Sequence, residues 1–277
     1  MTIQCIVYKS KLVFFIRSRV KVPAESHHLS FVVFARLDKA VANRFRSRMC
    51  NLYRFNRTAD ELRIFSNLIT NGFQADPEVG NLAPAFIGAD QDGSVLRRVG
   101  GKMRLSKLRW GFPPTKPKND KGKWAEPITN IRNLESRWWR DVNREWMLEP
   151  NYRCLVPFTR FAEPNPKSGG KNAWFATETE QSFFAGVWRP WSGDTRLIVV
   201  EGKNRRARAQ AAFELYSFLT TAPNQIVKPV HDKAMPVILT EPDECEEWLA
   251  GGAESFRLQR PVASDKLKIV HAEQDTD

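Results

Sequence analysis

The sequence predicts one α+β domain, built mainly of antiparallel twisted sheets with a few flanking helices. Three observations lead there. Short strand-like runs rich in Val, Ile, Phe, Tyr and Trp recur through the second half of the chain. Only a few segments carry apolar residues at helical spacing. No internal repeat or strong linker divides the patterned region, so the strands and helices belong to one core.

The elements follow in order. Residues 1–48 read as a basic extension whose apolar patches, at 13–16 and 31–34, have no clear period. A transit peptide looks partly like this. In-frame translation from a start placed too early fits better, because the character changes sharply at Met49-Cys50. The expected division is therefore an extension over 1–48, a domain over 49–271 and a tail over 272–277. Residues 51–53 fit a short strand. Thr58 caps a helix with early acids Asp60 and Glu61, and Leu62, Phe65, Leu68 and Ile69 line one face. Asn71-Gly72 ends that helix. Asp92-Gly93 predicts a hairpin turn. Residues 105–112 predict a strand that runs into a Pro/Lys/Gly-rich surface loop over 113–122. Residues 135–147 predict a helix. Strands are expected over 154–161, 174–177, 183–188, 197–200, 216–219 and 235–239, and a last capped helix over 240–249.

Composition narrows the function. The chain has 277 residues, a net charge of +12 and a pI near 9.7, which points first to a polyanion. The charge is uneven: residues 1–48 hold ten Lys or Arg against Glu25 and Asp38, leaving only +4 for 49–277. Specific basic residues must therefore carry any nucleic-acid argument. The cysteines Cys5, Cys50, Cys154 and Cys245 show no C-x-x-C pair and no zinc spacing with the histidines. A reducing, cytoplasmic setting is expected, with no metal, no organic cofactor and no membrane partner. A monomer is expected.

Five features can carry chemistry. If Cys50 is the N-terminal residue, its α-amine and thiol form a 1,2-aminothiol, which condenses with aldehydes to a five-membered thiazolidine. A buried structural cysteine is the alternative. Trp110, followed by Gly-Phe-Pro-Pro and flanked by Arg104, Lys107, Arg109, Lys116 and Lys118, suits base stacking and phosphate tracking, or equally a core strand entering a solvated loop. Asn130 and Arg132 share a strand face and suit a phosphate or sugar oxygen, or a plain surface strand. Glu163 ends an apolar strand, where desolvation would bring it toward general-acid range; a loop-edge glutamate is the bland reading. His231, in a polar loop before a strand, suits acid/base work or simple solvation.

Taken together and in this order, these features resemble the SRAP family (SOS response-associated peptidase-like, abasic site processing proteins). The matching motifs are Met-Cys-Asn at 49–51, Asn-Leu-Ala-Pro at 81–84, Arg-Trp-Gly-Phe at 109–112, Asn-Ile-Arg at 130–132, Arg-Cys-Leu-Val-Pro at 153–157 through Glu163, Phe-Ala-Gly-Val-Trp at 184–188, Thr-Thr-Ala at 220–222, and His231 through Met235-Pro236. The resemblance spans 49–270 and implies the SRAP fold. It also implies a covalent crosslink between Cys50 and abasic sites in single-stranded DNA, with Glu163 and His231 catalytic and Asn130 and Arg132 on the lesion and its phosphates. Many members carry Arg where this chain has Leu52, and Arg54 substitutes for it only if the strand has no bulge. The extension removes the free amine of Cys50 while it remains attached. Two other activities fit the same residues: autocatalytic cutting of the 49–50 bond by a cysteine-dependent peptidase, and non-catalytic single-strand binding. A Schiff base at the sugar would also permit lyase chemistry.

Overall fold

The structure is a computed structural model that describes residues 2–8, 11–17, 52–70, 72–79, 82, 85–118, 121–169, 171–179, 181–200 and 206–271. The chain divides into two compact units, Met1–Arg46 and Ser47–Asp277. In the first, β1 (Thr2–Tyr8) and β2 (Lys11–Arg17) pair antiparallel. The sequence suggested no element there, because the patches lack a clean alternation. Their Ile, Val and Phe content nonetheless favours strands.

The second unit is mostly β. Five of its strands close a small barrel: β6 (Asp92–Val99), β7 (Lys102–Trp110), β9 (Arg153–Pro157), β12 (Phe183–Gly193) and β15 (Ala211–Thr221). β15 pairs with β12, β12 with β9, β9 with β6 and β6 with β7, all antiparallel. β7 then returns to β15 in parallel, Arg109 opposite Leu215 and Trp110 opposite Tyr216. Short strands decorate the rim. β4 (Phe73–Ala75) and β8 (Asn130–Ile131) run parallel to β7 and β15, while β16 (Met235–Pro236) and β17 (Ile238–Leu239) run antiparallel to β15 and β12. β13 (Leu197–Ile198) and β14 (Ala207–Arg208) form a separate pair.

Side chains fill so small a barrel. Arg97 of β6 makes a bidentate pair with Glu214 of β15 at 2.7–2.8 Å, bonds Ser106 of β7 through Nε and lies 4.2 Å over the Trp188 ring. β6 and β15 are not neighbours in the ring, so this pair crosses inside it. Trp110, Tyr216 and Phe218 stack beside it, and Trp110 Nε1 donates to the Thr129 carbonyl.

A second, antiparallel sheet runs in the order β18 (Leu267–Val270), β11 (Asn172–Thr177), β10 (Arg160–Pro164), β3 (Leu52–Phe55), β5 (Ala85–Gly88). It docks on the barrel through Tyr53, which is fully buried and sits edge-on to Trp110, Phe184 and Phe218. The Tyr53 and Tyr216 hydroxyls share a 2.6 Å hydrogen bond. Phe158 stacks on Phe184 at 4.0 Å beside them.

Among the described residues, three α-helices pack around this frame. α1 (Ala59–Ile69) begins with a full capping box between Thr58 and Glu61 and buries Leu62 and Phe65. Leu68, expected on the same face, is 67% exposed, so the apolar stripe is narrower than its spacing suggests. α2 (Arg144–Leu148) is short. It follows a π-turn over Trp138–Val142, and together they replace the single helix expected over 135–147. The Asn143 amide donates to the Trp138 carbonyl at 2.8 Å and breaks the helical ladder there. α3 (Pro242–Ala250) is pinned by Trp248 Nε1, which donates to the carbonyls of Cys154 and Gly186.

Two further expectations are corrected. Asp92-Gly93 is not a turn but the start of β6, whereas the β6–β7 hairpin turns at Gly100-Gly101, both at positive φ. Glycine is required at 93 because a Cβ there would overlap both the Tyr53 and Tyr216 phenol oxygens. The run 154–161 is not one strand: β9 belongs to the barrel and β10 to the second sheet, and the chain changes sheet at Phe158-Thr159.

The packing sets two expectations. Gly93→Ala should cost about 1–3 kcal/mol, read as a lower denaturant midpoint with unchanged slope, because two buried rings must shift. Thr58→Ala should cost about 1 kcal/mol through loss of the cap; an unchanged midpoint would show that the capping box contributes nothing to stability.

Candidate active site

β10 alternates its side chains between the two faces of the second sheet. Phe161 points toward the barrel and stacks with Phe175 and the edge of Phe184. The pairing to β11 is continuous from Phe161 to Pro164, so Glu163, two residues on, shares that barrel-facing side. Its side chain is 1% exposed.

His231 reaches Glu163 from a loop 68 positions away in sequence. Asn224 shapes that loop: its Oδ1 accepts from the Ile226 and Val227 amides and its Nδ2 donates to the Val262 carbonyl. The His231 amide then donates to the Val227 carbonyl at 2.9 Å. His231 Nδ1 lies 2.8 Å from the Ala234 carbonyl and 3.7 Å from Glu163 Oε2. Nδ1 also faces the Ala234 N–H at 3.4 Å; the shorter contact, to the carbonyl, fits a hydrogen on Nδ1, and in that neutral tautomer Nε2 is the proton acceptor. A buried carboxylate and a part-buried imidazole thus face each other at the barrel–sheet junction, an arrangement suited to moving protons in low dielectric.

Asn130 and Arg132 flank the fully buried Ile131, as strand alternation requires. β8 pairs with β15 through Asn130 opposite Phe218. Gln259 fixes its end by donating from Nε2 to the carbonyls of Arg132 and Thr220, at 2.7 and 2.9 Å. Asn130 Nδ2 donates to Thr129 Oγ1, and Arg132 is exposed. The sequence analysis singles out neither Asn224 nor Gln259; Gln259 acts by bonding backbone far away in sequence, and Asn224 joins a local turn to the distant Val262 carbonyl.

Two expected contacts are corrected. Trp110 cannot stack a base, because its ring is fully buried in the barrel. Arg54 does share a face with Leu52, since the β3 pairings run without a bulge. That face is the one turned away from Glu163, and there the Arg54 guanidinium lies 4.9 Å over Phe86.

Cys50 lies outside the described residues, as do Met49, Asn51, Asn81, Ala83, Pro84 and the tail 272–277. Leu52, two residues after Cys50, pairs with Ala162, the neighbour of Glu163. Cys154 and Cys245 are fully buried, and burial pushes both thiols well above their ordinary range, so neither is a nucleophile at neutral pH. Among the described residues no cluster of His, Cys, Asp and Glu suits a metal ion, and no helix is long and apolar enough to cross a membrane.

The fold is similar to three solved structures. One protein from Bordetella bronchiseptica is 20% identical, with a TM-score of 0.57 over 80% of this chain and 100% of its own. One from Bacteroides thetaiotaomicron is 18% identical, with a TM-score of 0.54 over 80% and 93%. A phage-related protein from Bordetella bronchiseptica is 16% identical, with a TM-score of 0.51 over 81% and 95%. At these identities the likeness concerns the fold alone. No curated protein matches the sequence. The model of one family, described as SOS response associated peptidase (SRAP), matches residues 49–275. With that match over most of its length, the chain belongs to the SRAP family.

Proposed function

We propose that the chain captures the aldehyde of abasic sites in single-stranded DNA on Cys50 and so forms a covalent DNA–protein crosslink. The observation that carries this reading is the Glu163–His231 pair beside the strand that starts two residues after Cys50. Leu52, two residues after Cys50 in sequence, pairs with Ala162 beside Glu163. The inert, buried thiols of Cys154 and Cys245 support the same choice.

The ring-opened sugar presents an aldehyde carbon. The Cys50 α-amine adds to it and water leaves, giving an imine. The thiolate then adds to the imine carbon, and the nitrogen takes up a proton as the five-membered ring closes. Net, one aldehyde and one aminothiol give one thiazolidine and one water. His231, once its Nε2 has taken up a proton, is the group for protonating the sugar oxygen during ring opening. Glu163 is the group for proton transfer at the amine. Asn130 and Arg132 hold the flanking phosphates, and the phosphate contacts place the lesion without reading sequence. The chemistry needs a free amine at Cys50, so residues 1–49 must be absent from the reacting protein.

Three outcomes test this. Protein beginning at Cys50, mixed with single-stranded DNA carrying one abasic site, should give an adduct that survives denaturing electrophoresis, and Cys50→Ala should give none. No adduct from the parent protein would sink the proposal. Glu163→Gln and His231→Gln should each slow adduct formation by about 10²-fold or more at neutral pH, the usual share of general acid–base catalysis; rates equal to the parent would remove those roles. In the folded protein, iodoacetamide should alkylate Cys50 and leave Cys154 and Cys245 unmodified, read by peptide mass. Modification of Cys154 or Cys245 before Cys50 would contradict the assignment. Intact mass of the full-length chain separates the peptidase reading: a species starting at Cys50 that Cys50→Ala abolishes indicates self-cleavage.

A further inference from the structure

The loop expected over 113–122 is part of an arm built as a long hairpin. Its base is closed by two backbone hydrogen bonds between Phe112 and Ile128, at 2.8 and 2.9 Å. Farther out, Lys118 bridges to Trp124, and the Ala125 amide donates to the Pro117 carbonyl. Trp124 is 39% exposed. Two cations lie over its ring: Lys118 Nζ at 4.9 Å from the same arm, and the Arg208 guanidinium at 4.2 Å from β14. Two segments more than eighty residues apart in sequence thus meet on one indole. Neither Lys118 nor Arg208 has a carboxylate partner among the described residues, and Arg208 Nε is buried without a hydrogen bond.

Two like charges gathered on one ring repel each other, and an anion joining them would offset that repulsion. Lys116, Lys121 and Lys123 belong to the same arm, and Arg206 lies two residues before Arg208. A single phosphate would need only one or two of these groups. A chain of phosphates uses a row of them, and an aromatic among cations is how single-stranded nucleic acid is held without sequence preference. The arm's base also leads, through Thr129, directly into Asn130 and Arg132.

We propose that Trp124, with Lys118 and Arg208, forms a second contact site for the phosphate backbone of a single strand, away from the Glu163–His231 pair. It rests on the reading that the protein acts on single-stranded DNA. The site adds affinity and direction, leading the strand from the arm toward Asn130 and Arg132, and it takes no part in bond making.

The test uses the full chain and an undamaged oligonucleotide of about 20 nucleotides, with anisotropy titrations over a range of salt. Lys118→Gln/Arg208→Gln should weaken binding about tenfold near 0.1 M salt. It should also flatten the slope of log affinity against log salt by about 1.4, two phosphate contacts at roughly 0.7 each. Trp124→Ala should weaken binding to a similar extent, and Arg208→Gln alone should flatten the slope by about 0.7. Unchanged affinity and slope in the double variant, or an absence of binding by the parent, overturns the proposal. So does an equal loss of binding to a polyglutamate peptide that the parent binds as tightly as DNA, which would make the surface an acidic-protein site. The two readings separate cleanly. Salt-slope changes with no abasic adduct refute Cys50 capture and keep the arm. A normal adduct with unchanged slopes refutes the arm and keeps Cys50.

Discussion

The hydrogen bond between the Tyr53 and Tyr216 hydroxyls, seated over Gly93, joins the two sheets of the second unit. Tyr53 belongs to the five-stranded sheet and Tyr216 to the barrel. Burial raises the Tyr216 phenol well above its ordinary range, so its hydroxyl stays protonated across the working pH of a cell. Everything in the candidate site takes its position from this junction. Phe161 packs opposite Tyr53 in register, and Glu163 follows two residues later on the same face. Trp110 and Phe218 wall the junction on the barrel side, and Phe218 is the partner of Asn130 in the β8 pairing.

A polar element inside the barrel complements that junction. Arg97, Ser106 and Glu214 form a bonded group under Trp188, so the buried Arg97 guanidinium meets acceptors on two strands. On the outer flank, Arg153 is buried between Trp248 and Phe256 with no acid at hand, and desolvation pushes its pKa down to about 9. Its Nη2 donates to the Gly252 carbonyl at 3.1 Å, just after α3. Cation–π contact and a backbone acceptor here do the work that a carboxylate does for Arg97.

Much of this was legible in local sequence, and the failures share a cause. The Thr58–Glu61 capping box reads directly, because a cap depends only on residues three apart. Glu163 and His231 are brought together at 3.7 Å, but only the family resemblance pointed to them jointly, since no spacing rule links positions 68 apart. Asp92-Gly93 has the dipeptide of a turn, yet its glycine exists to admit two tyrosines from other strands. Trp110 sits among basic residues in sequence, but strand alternation puts it on the face of Leu108, opposite Lys107 and Arg109. Its burial comes from barrel closure, which depends on β15, a hundred residues later. Trp124 was passed over for the same reason, because the cation that meets it comes from β14.

The order of strand pairing also has a consequence for how the protein comes into being. The barrel seam joins β7 to β15, and the site's sheet joins β3 to β10, each across about a hundred residues of chain. Such pairings cannot form on a ribosome until the later strand has emerged, and loop closure over that distance makes them slow. Glu163 and His231 therefore meet only after nearly the whole second unit has been synthesised. A chain that stops short of His231 carries Glu163 without the partner that completes the site.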